Sequence, residues 1–270
     1  MKKNEVAVAP VNAVALPASD MFSAMAEDSS LGFSGMTTED LAIPYVSILQ
    51  AMSPQVKRGA QKIEGAEEGD VLNTLTGEVF KGITGITVVP CAYIKKWVEW
   101  IPQDQGGGFV KAYDNDSILL QTTKNDKNKD QLPNGHEIVT TAYHYVLLVK
   151  PDGSWERAVI SMVSTQLKKS RKWNTLMGSL QLVAPNGKRF TPPMFSHSYR
   201  LTTEIESRDT YSWAGWKIST GTLITYPDLY AAARAFFMAV SEGSVKVSEP
   251  MSDSESVGGV PTDVDGVEVF

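Results

Sequence analysis

Two short stretches of this chain carry side chains that fit one chemistry. Lys168-Lys-Ser-Arg-Lys-Trp173 packs four cations into five residues and ends on an indole. Tyr93-Ile-Lys-Lys-Trp-Val-Glu-Trp100 interleaves two lysines with three rings. Lysine and arginine neutralise backbone phosphates without reading sequence, and aromatic faces accept unpaired bases. The expected phosphate contacts are Lys95, Lys96, Lys168, Lys169, Arg171, Lys172 and Arg200. The expected stacking rings are Tyr93, Trp97, Trp100 and Trp173. In an extended strand Tyr93, Lys95, Trp97 and Glu99 share one face, and Lys96 and Trp100 share the other. No acidic residue lies between Arg157 and Glu204, so the basic stretch cannot lace its cations with local carboxylates. The competing reading is plainer: strand aromatics usually pack in cores, and a charge run is usually a solvated helix face. Tyr211-Ser-Trp-Ala-Gly-Trp-Lys217 stays open in the same way, either as exposed ring faces or as a packed turn.

Other chemistries fit poorly. Gly106-Gly-Gly108 lacks the Gly-Lys-Ser/Thr ending of a phosphate loop and reads as a hairpin tip. No Gly-x-Ser-x-Gly elbow is present. Asp114, Asp116, Asp126 and Asp130 are acidic, but Lys124, Lys127 and Lys129 interleave with them, which disfavours a two-metal centre. His144, between Tyr143 and Tyr145, reads as structural. Cys91 is the sole cysteine, which excludes an intrachain disulfide and suits a reducing cytoplasm. With only His136, His144 and His197 beside it, a zinc module is disfavoured. The expectation is a protein without catalysis, metal or cofactor. Met1–Pro10 lacks the sustained apolar core of a signal peptide, and no apolar run approaches the ~20 residues that span a bilayer.

The elements that must position these groups follow from periodicity. Residues 1–35 show no clear period and read as mostly disordered. Thr37–Asp40 before Leu41, Ile43, Val46 and Leu49 suggests a short helix limited by Pro44 and Pro54. Ile83–Ile101 is a long β-favouring run, bent or at an edge near Pro90. Phe109–Tyr113, Ser117–Thr122, Ile138–Val149 and Trp155–Val163 read as strands, the last two joined by the turn Pro151-Asp-Gly153. A basic helix starts at Ser164 as its cap, with Trp173, Leu176, Met177, Leu180 and Val183 on its apolar face. Two strands over 195–205 and 210–218 follow, then a helix over 227–240. The order predicts a strand-dominated α+β fold, an OB-like partly open barrel with an inserted basic helix and a C-terminal helix.

Charge is segregated. Residues 1–44 carry 2 basic and 6 acidic groups, and residues 246–270 carry 1 and 6. Residues 151–200 carry 8 basic and 2 acidic groups. A basic body between acidic arms suits a polyanion binder, although acidic tails also serve solubility. The domain reading is an arm over 1–40, one globular domain over 41–243, and an acidic tail over 244–270.

The tail ends Val260-Pro-Thr-Asp-Val-Asp-Gly-Val-Glu-Val-Phe270, an acidic strand with an aromatic residue at its tip. It resembles the tails of the single-stranded DNA-binding proteins of bacteria and tailed phages, which join an OB body to an acidic tail ending in phenylalanine. The matching positions are Asp263, Asp265, Glu268 and Phe270; Val269 stands where bacterial tips carry proline. The resemblance implies sequence-independent coating of single-stranded DNA in phage replication or recombination, in a host cytoplasm, with homo-oligomers possible. It implies that the tail recruits replication and recombination proteins and shields the DNA groove. Two alternatives are a phage accessory or structural protein that binds proteins rather than nucleic acid, and an enzyme acting on nucleic acid.

Overall fold

The structure is a computed structural model that describes residues 18–28, 31, 32, 35, 36 and 42–245. Its strands are β1 (Val46–Ile48), β2 (Val71–Asn73), β3 (Val79–Phe80), β4 (Ile86–Ile101), β5 (Gly108–Tyr113), β6 (Thr123–Lys124) and β7 (Asp130–Gln131). Then come β8 (Glu137–Val149), β9 (Trp155–Val163), β10 (Leu182–Val183), β11 (Arg189–Phe190), β12 (His197–Arg208), β13 (Tyr211–Ile218) and β14 (Thr222–Leu223). Three helices accompany them: α1 (Ala18–Glu27), α2 (Gln166–Gly178) and α3 (Pro227–Ser241).

Five long strands make a curled, partly open antiparallel barrel in the order β13-β12-β4-β8-β9, with α2 inserted between β9 and β12. This is the strand-dominated α+β, OB-like architecture that the sequence predicts. β4 is the organiser. β-Branched and aromatic residues take ten of its 16 positions, so it stays extended. It pairs with β8 over Thr87–Trp100, with β12 over Ile86–Val88, and with β5 over Trp97–Ile101. The ladder with β8 shifts register between Pro90 and Ala92. Proline has no N–H to give, so the strand bends there and Cys91 is the extra residue.

The sheet separates two cores, one on each face. Inside the barrel, Ile86, Val88, Val146, Leu148, Ile160, Met162, Leu201 and Trp216 pack against Trp173 and Met177 of α2. Outside it, Val89, Cys91, Val98, Tyr143, Tyr145, Leu147 and Val159 are roofed by Leu229, Ala233, Phe236 and Val240 of α3. Each fully buried large apolar side chain contributes roughly 1.5–3 kcal/mol.

The two free barrel edges, β9 and β13, are stitched by one segment. Pro44 O accepts from Val159 N, and Tyr45 pairs in parallel with Val159. Six residues on, the Gln50 side chain acts as a surrogate peptide: its Nε2 donates to Ala214 O, and Ala214 N donates to its Oε1, both at 2.9 Å. From α2, Gln166 Oε1 takes the Trp216 N–H at 3.0 Å. Gly82 lies where β12 crosses the β2–β3 corner; a Cβ there would fall on Gly69 O and the Thr203 hydroxyl.

Four local readings are corrected. Val46–Ile48 is a strand, not part of a helix, because its partners in β2 and β9 outweigh local propensity. Asp116–Gln121 is a 3-10 helix, with the Asn115 side chain accepting from Ser117 N. Ser164 does not cap α2: it takes a positive φ of 48°, the helix begins at Gln166, and no side chain caps it. Ala18–Glu27 is helical within the arm read as mostly disordered.

Gln50→Ala leaves the Ala214 N–H and C=O without partners in a buried seam. The expected loss is about 1–3 kcal/mol of stability, read as a lower denaturant midpoint. An unchanged midpoint would show that the seam contributes nothing.

Candidate nucleic-acid interface

The candidate residues do not form one channel. Trp173 is fully buried. Its ring stacks on His144 at 4.6 Å and meets Tyr199 edge-on at 5.7 Å. It therefore cannot stack on a base, and this corrects the expectation for it. The His144 Nε2 bonds to the Ser170 hydroxyl at 2.8 Å, and burial pushes the imidazole down to about 3, so it is neutral at physiological pH. Trp173, His144 and Ser170 together weld α2 to the barrel.

Lys169 is also committed. It pairs with Glu206 at 2.6 Å and Glu204 at 3.2 Å. Burial lowers its pKa, but the two carboxylates outweigh that and the net shift is upward. The sequence stretch without acids is thus served by carboxylates on β12, a neighbour only in space. Lys168, Arg171 and Lys172 are exposed on α2. Arg200 lies on the outer side of β12, flanked by the inward-facing Tyr199 and Leu201. It is tied to Thr84 O at 2.7 Å and to the Thr87 hydroxyl at 2.9 Å.

On β4 the period-two expectation holds. Lys96 and Trp100 are on the outer face, where Lys96 pairs with Asp114 at 2.9 Å and Trp100 meets Phe109 edge-on at 5.8 Å. Tyr93, Lys95, Trp97 and Glu99 are on the inner face. Tyr93 packs against His144, the same residue that carries Trp173, so α2 adjoins the end of this row. Lys95 Nζ sits 4.9 Å over the Trp97 ring. Trp97 faces Tyr113 across the β4–β5 ladder, and Lys111 Nζ sits 4.9 Å over the Tyr113 ring. The result is two cation–ring pairs side by side, with both lysines exposed. Trp97 is 8% exposed, backed by Ile118, Leu132 and Ile138, so Tyr93 and Tyr113, both half-buried, are the more accessible rings.

Glu99 fixes this ladder from below. Its carboxylate accepts from the Tyr113 hydroxyl at 2.6 Å, meets His136 Nδ1 at 2.6 Å and the Asn134 amide at 3.5 Å. Burial pushes the carboxyl up, but the tyrosine, histidine and amide contacts outweigh it and hold it below its ordinary value.

Sequence reasoning missed Lys111 and Tyr113. The signal was present: Lys111-x-Tyr113 repeats the Lys95-x-Trp97 spacing on an antiparallel neighbour, which sets Tyr113 opposite Trp97 and Lys111 opposite Glu99. It also passed over Phe190, 43% exposed beside Lys188 and Arg189 on the β10–β11 hairpin after α2. Asp263, Asp265, Glu268 and Phe270 lie outside the described residues.

Among the described residues no group of three or more His, Cys, Asp or Glu is placed to hold a metal ion, and no helix is long and apolar enough to cross a membrane. Residues 12–246 match a protein family described as Pam3 phage gp34-like protein. No curated protein and no solved structure matches the chain.

Because the folded Glu99 carboxyl titrates below its unfolded value, its stabilisation is present at neutral pH and above about 4.3. It is lost as pH falls through the lower folded value. Glu99→Gln should flatten part of the acid limb of the stability–pH curve; an acid limb identical to that of the unaltered protein contradicts this.

Proposed function

The chain belongs to the Pam3 phage gp34-like protein family, and on that premise we propose that it is a non-catalytic phage protein that binds single-stranded DNA without sequence preference. The observation that carries this reading is the paired ladder of Lys95 over Trp97 and Lys111 over Tyr113. Lys95 and Lys111 are exposed at opposite ends of the Trp97–Tyr113 pair, where they can meet phosphates; Trp97, 8% exposed, backs the pair, and the half-buried Tyr93 and Tyr113 are the rings left for bases. The ladder stands at the root of the long 102–136 connection between the first two barrel strands. In OB-type barrels that connection is one of the usual oligonucleotide contacts. Arg171 and Lys172 on α2 extend the cationic surface past Tyr93. In this reading the acidic tail competes with DNA and presents Phe270 to replication or recombination partners.

The outer face of β4 and β8, which takes in part of the other usual contact surface of such barrels, is closed by α3. That closure favours a second reading, in which the protein is a phage accessory factor that binds proteins only.

Titration of labelled oligothymidine separates the two. With Lys95, Lys111, Arg171 and Lys172 on phosphates, log affinity should fall with log salt at a slope of about −3, from roughly −0.7 per contact. Lys95→Glu with Lys111→Glu should weaken binding by about tenfold or more and shrink the slope by about 1.4, while Lys96→Glu, on the opposite face, should leave both nearly unchanged. Salt-independent binding, or equal losses from Lys96→Glu, overturns the assigned face. No binding of oligothymidine at low salt leaves the protein-binding reading.

A further inference from the structure

We propose that α1 of one copy docks on the outer face of α3 of a second copy, so that the protein forms a dimer by reciprocal exchange of its N-terminal helices. The proposal does not depend on nucleic-acid binding.

α3 has two apolar faces. Its inner face is the roof over β4 and β8. Its outer side carries Tyr226, 72% exposed, followed by Tyr230 and Phe237, with Met238 beside them at 45%. Spacings of four and seven residues place the rings in one line along the helix. Phe195 lies beneath that line, 5.3 Å from Tyr230 and 5.8 Å from Phe237, so the stripe is rigidly backed. A contiguous, ring-rich patch of this kind on the surface marks an interaction site.

α1 presents the complementary problem. Met21 and Met25 are one turn apart with Phe22 beside them, and Phe22 is 69% exposed. Every described side chain from Asp20 to Asp28 is exposed, and none of the three apolar ones joins a packed cluster of this copy. A ten-residue helix is marginal alone in water, so its stability must come from burying that face. Among the described residues, α1 exposes one apolar helix face and α3 one apolar stripe of matching character.

Position and charge agree. Ile43, the first buried residue after the arm, sits in the cluster under α3, so the arm leaves the body beside that helix. Glu27 ends α1 and Asp28 follows it, and the α3 stripe carries the exposed Arg234. The family match over 12–246 takes in both helices and stops before the tip of the acidic tail. A two-fold exchange closes on itself: each copy gives one helix and receives one, and no sticky end remains.

The test uses the full chain, with mass measured by light scattering across about a hundredfold range of concentration. The expected result is a concentration-dependent dimer that Phe22→Asp converts to a monomer, folded by circular dichroism, whose thermal melt no longer depends on concentration. Arg234→Glu should weaken the dimer, and Asp28→Lys in the same chain should restore it. Because Cys91 is buried, engineered cysteines report cleanly. Phe22→Cys in one tagged copy and Met238→Cys in another should form a disulfide between copies. A monomer at every concentration overturns the proposal, as does a dimer that survives Phe22→Asp. A Phe22→Cys, Met238→Cys double variant that crosslinks only within its own chain also overturns it.

Discussion

Everything in this molecule is hung on the bent strand β4, whose two edges and two faces are all in use. One edge runs along β8 for nearly its whole length; the other holds β12 at its start and β5 at its end. A flat strand could not serve both neighbours, because β12 must curl inward to form the barrel while β5 continues outward. Pro90 and the extra residue Cys91 supply the bend. The inner face gives Ile86 and Val88 to the barrel core and then Trp97 to a distal cluster. The outer face gives Val89, Cys91 and Val98 to the core under α3. The candidate interface is therefore the free end of a load shared by the whole fold, and its geometry is as stiff as the core behind it.

The same economy explains how the basic helix is held. α2 is attached by its uncharged side, through Trp173 and the neutral His144, and by one cation, Lys169, which two β12 carboxylates keep charged. The remaining exposed cations are thereby carried on a fixed support rather than on a mobile arm. Order of this kind lowers the entropy that binding would otherwise have to oppose. The glutamine seam works in the same spirit: Gln50 completes the hydrogen bonding of an edge that a sixth long strand would otherwise have to cover.

α3 gives the fold its asymmetry. By covering the outer face of β4 and β8 it removes a tyrosine-bearing surface from solvent and creates a new surface of its own, lined by Tyr226, Tyr230 and Phe237. A barrel of this type usually keeps that face for its ligand. The candidate ladder on β4 and β5 and the exposed ring stripe of α3 therefore lie on different elements of one small body.

Local chemistry was enough to read the long strands, both larger helices and the barrel class, because hydrophobic periodicity and turn residues act over a few positions. It also put Lys95 and Trp97 on one face and Lys96 and Trp100 on the other, since alternation in a strand is a property of the backbone alone. Which faces meet solvent was decided by contacts far apart in the chain. Trp173 disappeared into the core because His144, 29 positions away, supplies a ring to stack on. Lys169 was neutralised by Glu204 and Glu206 on β12. Tyr113 and Lys111 joined the site because β5 folds back on β4. Val46–Ile48 became a strand because two edges waited for it. Side-chain type and spacing carry short-range physics; burial, pairing and charge compensation are settled by neighbours that only the folded chain brings within a few ångströms.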